Sequence, residues 1–209
     1  MDEVARTFDA WARNGRAERM EREHAKSVLK FLGSVPFDSA FAFLDVGCGN
    51  GWVVRMMASK TLCKRVVGID KSKKMIIEAR KKTENAKTKF IHTDLESLGR
   101  LKFDYVFSME SLYYADSVSA ALEKIYVLLR PGGKLFCGTD FYTDNKVTAK
   151  WAGMLGIQMH LYSKKEWRRL FQDAGFETRV RHVTDSRDRR KWRRELGTLF
   201  ITGTRPNTR

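Results

Sequence analysis

The chain has few cysteines, no long apolar run and far fewer acids than bases. Cys48, Cys63 and Cys137 are odd in number and lack metal-ligand spacing, which argues against a disulfide framework and against a cysteine-held metal. They read as buried reduced thiols, and no metal centre is expected. No stretch reaches the 18 or so consecutive apolar residues of a membrane-spanning helix. The first residues, MDEVARTFDAW, lack the basic and then apolar profile of a signal peptide. Membrane spanning and export are therefore not expected, and a cytoplasmic setting is. Asp and Glu total 25 against 40 Lys and Arg, a formal net charge of +15. A heat-adapted chain would raise its acids together with its lysines to build ion-pair networks. The imbalance suggests an anionic partner instead, although colloidal solubility also accounts for it. With 209 residues, 43% of them hydrophobic, the chain has ample material for the core of one domain.

The most informative stretch present is FAFLDVGCGNG, from Phe41 to Gly51. An apolar run that ends on an acid and alternating glycines reads as a buried strand entering a ligand-binding turn. Glycine there allows positive φ and lets a ligand approach without meeting a Cβ. The next apolar run, Arg65 to Asp70, also ends on an acid, about 20 residues on, where nucleotide-binding βαβ units carry a ribose-binding carboxylate. A dinucleotide fingerprint needs two residues between its second and third glycines, whereas Asn50 alone separates Gly49 from Gly51. The pattern disfavours NAD and favours another nucleoside-like ligand.

These residues resemble the class I S-adenosylmethionine-dependent methyltransferases, whose first motif looks like LDVGCGNG. The likeness continues in the family's order through VVGID, FIHTD, FDYVFSM and LLRPGGKLFCGTD, about half of the chain in all. The resemblance implies an α/β fold: a single Rossmann-like, seven-stranded, mostly parallel sheet with strand seven antiparallel, helices on both faces and an N-terminal helical lid. It implies S-adenosyl-L-methionine as cofactor, with Asp45, Gly47 and Gly49 around the methionine part and Asp70 on the ribose hydroxyls, next to Lys71. Asp94 would face the adenine amine with Leu95 against the ring, and Ser108 and Met109 would flank the methionine chain. Such acids belong at the carboxyl ends of strands, where open α/β sheets bind ligands.

One domain over 1–209 is expected: a helical cap over 1–33, a cofactor-binding core over 40–140, an acceptor-side segment over 141–162, and a C-terminal helix and hairpin over 163–209. Two helices are expected over 2–12 and 16–32, broken at Asn14-Gly15, and Phe8, Trp11 and Arg16 are candidate lid residues. His24 shares the apolar face of the second helix with Ala17, Met20, Val28 and Phe31, which assigns it to the core. Methyl transfer needs an acceptor atom held in line, and a base where that atom must lose a proton. Candidates for acceptor contacts are Glu110, Tyr113, Tyr114, Asp140, Tyr142 and His160, and none stands out as the base.

The loop after strand four, Ser108-Met109-Glu110-Ser111, lacks the Pro-Pro-aromatic, Pro-Cys and paired-glutamate signatures of nucleobase-amine, pyrimidine-carbon and arginine methyltransferases. It most resembles that of small-molecule methyltransferases. The connection Ser186 to Leu196 would bring Arg187, Arg189, Arg190, Arg193 and Arg194, with Lys191 and Trp192, to the rim of the site. Interleaved arginine and tryptophan can contact phosphate and stack on a base. Three readings follow: methylation of a small and perhaps anionic acceptor, methylation of RNA through the basic rim, and cofactor binding without catalysis. A ribose diol needs the Asp70 carboxylate as acceptor. Asp70→Ala is expected to remove most S-adenosylmethionine affinity in a calorimetric titration while circular dichroism stays that of the wild type.

Overall fold

A computed structural model describes residues 3–207. Among them, seven strands form one sheet: β1 (Phe41–Val46), β2 (Cys63–Asp70), β3 (Thr88–His92), β4 (Phe103–Met109), β5 (Leu129–Thr139), β6 (Glu177–Val183) and β7 (Thr198–Thr204). Their spatial order is β3-β2-β1-β4-β5-β7-β6. β1 to β5 pair in parallel, and β7 runs antiparallel to both β5 and β6. The helices are α1 (Glu3–Arg13), α2 (Arg16–Leu32), α3 (Trp52–Ala58), α4 (Lys73–Lys81), α5 (Val118–Leu128), α6 (Trp151–Leu155), α7 (Lys164–Asp173) and α8 (Lys191–Glu195). The helix expected over 2–12 is α1, with Asp2 outside the described residues.

Every residue of β1 is buried, which is why it reads as a continuous apolar run and not as an alternation. Ala42, Leu44 and Val46 face one core layer with α5 and α7, whereas Phe41 and Phe43 face the other with α2, α3 and α4. Phe31 of α2 stacks on Phe200 of β7 with ring centroids 4.0 Å apart, so α2 closes over the far half of the sheet. The order reverses between β1 and β4. The crevice at their carboxyl ends is the switch point where ligands of such sheets bind.

Two boundaries differ from expectation. Pro131, Gly132 and Gly133 are turn-forming residues, yet β5 already begins at Leu129, and its pairing with β4 shifts register between Phe103 and Tyr105. The bulge absorbs the glycines, Gly132 at φ 75°. β3 stops at His92, so Asp94 stands in the loop beyond it instead of closing the strand. α4 starts where Ser72 predicts, its hydroxyl accepting from Met75 N–H at 3.1 Å.

The glycine turn is packed as tightly as the sheet. Gly51 has φ 78°, and a Cβ there would lie 2.7 Å from the Phe90 ring on β3. Strain and overpacking both oppose a side chain at this point. Gly51→Ala is expected to lower stability by about 2–4 kcal/mol, read as a lower midpoint in urea with an unchanged slope.

Candidate active site

A cavity of about 490 Å³ opens at the switch point. Its first half is built from backbone. Gly47 N–H and Cys48 N–H both donate to Ile69 C=O at 2.9 Å, and Gly49 N–H donates to Asp70 Oδ2 at 2.9 Å. Asp70 Oδ1 accepts from Ser72 N–H at 2.8 Å, so one carboxylate ties the turn after β1 to the start of α4. Gly47 has φ 71°, and a Cβ there would fall on the Ser111 hydroxyl; Gly49, at φ 53°, opens onto unfilled space.

α1 covers this half. Asp9 Oδ1 accepts from Ser72 Oγ at 2.6 Å and from Lys74 N–H at 3.0 Å, docking α1 on the start of α4. Phe8 meets Trp11 and Tyr114 edge-on at 4.8 and 5.4 Å, and the Arg16 guanidinium lies 3.8 Å from the centre of the Trp11 ring. Phe8, Trp11, Arg16, Asp45, Lys71, Asp94, Leu95 and Met109 all border the cavity with the glycine turn. Ser108 does not: it is fully buried, because β4 alternates and Phe107 and Met109 take the cavity side.

The second half is bounded by α2, the loop after β4, and α6. Glu110, Tyr113 and Tyr114 border it as expected. Glu110 has φ 53°, a strained value for a residue with a side chain. Its carboxylate accepts from Tyr113 Oη at 2.6 Å and from Asp140 N–H, which holds it against the cavity. Asp140, Tyr142 and His160 are not on this wall. Asp140 is fully buried behind Glu110; Tyr142 donates to Gly197 C=O at 3.2 Å; His160 Nε2 lies 2.9 Å from Ala115 C=O. The chain leaving β5 turns back onto the sheet instead of running along the rim. Only its later part returns to the cavity, as Val147, Trp151, Met154 and Leu155, with Met154 78% exposed at the mouth.

The basic connection also differs from expectation. Arg190 and Trp192 border the cavity, whereas Arg193 is buried and donates to Glu23 C=O and Asp140 Oδ2, each at 2.6 Å. Arg190 is held by Asp188 through two bonds of 3.0 Å, and Arg194 is spent on the carbonyls of Asp188 and Arg189. Arg187 and Arg189 are exposed and do not border the cavity. Residues missed from sequence are Asp9, Met20, Glu21, His24 and Trp151. The signal lay in α2, whose single face spans both the cavity, through Ala17, Met20 and His24, and the core, through Val28 and Phe31.

A methyltransferase-domain family model matches residues 44–137. The chain is 26% identical over 136 residues to the malonyl-[acyl-carrier protein] O-methyltransferase of Priestia megaterium, covering 65% of this chain and 47% of that protein. It is 28% identical over 174 residues to the trans-aconitate 2-methyltransferase of Paracidovorax citrulli, covering 81% of this chain and 64% of that one. A chain described as a methyltransferase, in complex with the Haloferax volcanii Trm112 methyltransferase activator, superposes with a TM-score of 0.90 at 28% identity, over 96% of this chain and 98% of that one. The domain match and the near full-length superposition support a class I, Rossmann-like S-adenosylmethionine-dependent methyltransferase. It spans about half the length of the curated relatives it matches most strongly.

S-adenosylmethionine is the cofactor of this methyltransferase family, and the cavity fits it. The cofactor carries a sulfonium and an ammonium, and three carboxyl groups at the cavity have affinities for protons that a cation would relieve. Burial pushes Asp45 up to about 8, with the Asp70 charge adding to it, and pushes Asp70 up to about 6. Burial and the Asp140 charge push Glu110 up to about 8. Asp94, by contrast, is held below the usual carboxylate range by hydrogen bonds from Ser97. Among the described residues no helix is long and apolar enough to cross a membrane, and no cluster of acids, histidines and cysteines could hold a metal.

The pH dependence follows. Carboxyls whose folded pKa lies above the unfolded value of about 4 stabilise the ligand-free fold fully below that pH and lose the contribution as pH rises through 6 to 8. Thermal melts without cofactor are expected to fall from pH 5 to pH 8, and less so for Asp45→Asn. A cation binds the ionised forms, so S-adenosylmethionine affinity is expected to rise over the same range with proton release, measured by calorimetry in two buffers of different ionisation enthalpy.

Proposed function

We propose that this chain transfers the methyl group of S-adenosylmethionine to a small acceptor held between α2, the loop after β4 and α6. The observation that carries the reading is the two-ended cavity: backbone amides and acids at one end, and Met20, His24, Tyr113, Trp151, Met154 and Trp192 at the other. Bound at the first end, S-adenosylmethionine would supply an electrophilic methyl group on a sulfonium. The protein's part is to hold the acceptor in line and to exclude water. α1, docked through Asp9, does the second; Glu110 and Tyr113, locked to one another, define the floor on which the acceptor rests. Arg16 and Arg190 place positive charge on the wall and favour an acceptor of negative charge. The curated relatives named above, by their names, act on malonyl and trans-aconitate groups, which fits such an acceptor.

The similarity to a chain solved in complex with Trm112 supports a second reading, in which a methyltransferase activator of that kind binds this chain as well. Co-expression with such an activator would give a complex that survives gel filtration; separate elution counts against it.

Methyl-labelled S-adenosylmethionine, incubated with the chain and cell extract divided into RNA, protein and metabolite fractions, is expected to label the metabolite fraction. Label in RNA alone overturns the small-acceptor reading. Transfer should change little between about 50 and 200 mM salt, whereas transfer to RNA through phosphate contacts would fall many-fold.

A further inference from the structure

His24 stands at the edge of the acceptor end of the cavity, not in the core. Its Nδ1 lies 3.6 Å from Asp140 Oδ2, with side chains 12% and 0% exposed. Arg193 holds the same Oδ2 at 2.6 Å. Two buried atoms in this arrangement, His24 Nδ1 and Asp140 Oδ1, have no hydrogen-bond partner. Leaving such groups unpaired costs about 1–3 kcal/mol each, and the Asp140 carboxylate is the acceptor that Nδ1 faces. A separation of 3.6 Å is too long for a hydrogen bond. Catalytic hydrogen bonds are commonly long in ligand-free sites and tighten when the ligand is bound. With Nδ1–H directed at the carboxylate, the neutral ring carries its lone pair on Nε2, at the edge opposite the buried one.

The geometry points to His24 as the general base of the proposed reaction, acting on an acceptor hydroxyl, with Asp140 positioning the imidazole and Arg193 positioning Asp140. The inference rests on the methyl-transfer reading. In the step, the acceptor O–H proton passes to His24 Nε2, and an oxygen electron pair forms the new bond to the methyl carbon. The methyl–sulfur bond breaks, and its electron pair stays on sulfur. An acceptor carboxylate is already ionised at neutral pH and would leave such a base idle, so the methylated atom is assigned to a hydroxyl, which sets this chain apart from the relatives whose named acceptors, malonyl and trans-aconitate groups, carry carboxylates and no hydroxyl.

The charged surroundings suit the role. The groups facing His24 are Asp140 at the end of β5, Glu23 on α2, and Arg190 and Arg193 from the α8 region. Burial lowers the imidazole pKa, Asp140 and Glu23 oppose it, and the two arginines reinforce it, with a net result below the ordinary value. The ring is therefore neutral at physiological pH.

Two measurements test this on the full chain. Nitrogen-15 histidine spectra with S-adenosylhomocysteine bound, with His24 assigned by its loss in His24→Gln, are expected to show the neutral Nδ1–H tautomer at pH 7. A charged ring or the Nε2–H tautomer overturns the proposal. In the labelled-extract assay, His24→Gln is expected to lower transfer by about 10²–10⁴-fold with S-adenosylmethionine affinity unchanged. His24→Ala should regain transfer in proportion to added imidazole, which a purely structural role would not produce. Full transfer by His24→Gln defeats the base and leaves methyl transfer standing. No label from the wild-type chain defeats methyl transfer and the base with it.

Discussion

One buried carboxylate sets the local geometry on which the rest of the site depends. Asp70 accepts from Gly49 N–H on one side and Ser72 N–H on the other, so the turn leaving β1 and the start of α4 share a single anchor. Ser72 then passes the constraint outward, capping α4 and donating to Asp9 of α1. The floor of the cofactor end and its cover are thus linked through three consecutive hydrogen bonds. The anchor is costly, since burial opposes the charge on Asp70 and its neighbour Asp45. Binding sites that hold strained charge in the empty state and release it on occupation are a common result of preorganisation.

Much of this was legible in the sequence because it is carried by chain-local pattern. The apolar runs of β1 and β2, their terminal acids and the glycine spacing lie within one βαβ unit, and short-range chemistry decides them. Ser72 caps α4, and Ser163 with Glu166 forms a capping box, both local features of the same kind. The acceptor end was not legible, because its walls are assembled from parts remote in sequence. Nothing local tells that His24 faces a cavity while Val28, one turn later on the same face, enters the core. Nor does alternation along the segment after β5 reveal that Tyr142 and His160 turn away while Trp151 returns. Ser108 was misplaced by one residue of strand register, the smallest error that moves a side chain to the opposite face.

The excess of positive charge looks different once folded. Arg193 neutralises a buried acid, Arg190 is forked onto Asp188, and Arg194 caps carbonyls of its own loop. These guanidiniums tie an otherwise irregular connection to its own carbonyls, to α2 and to the end of β5. A basic run in a sequence can therefore be internal scaffolding as much as an advertisement to a polyanion. Arg187, Arg189, Lys191 and Arg194 are exposed, and they carry what the run offers to solvent.

The clasp between α2 and the connection before β7 has a further consequence for how the molecule comes into being. Lys30 reaches Thr184 C=O, Lys26 pairs with Asp185, and Arg193 reaches Glu23 C=O, contacts that span more than 150 residues. Closing loops of that length is slow, and on the ribosome residues 184–193 emerge long after α2. The half-sheet of β1 to β4 can form while the chain is still being made, but the acceptor end cannot exist until synthesis has passed α8. A nascent chain would therefore acquire its cofactor seat before it has anywhere to put a substrate.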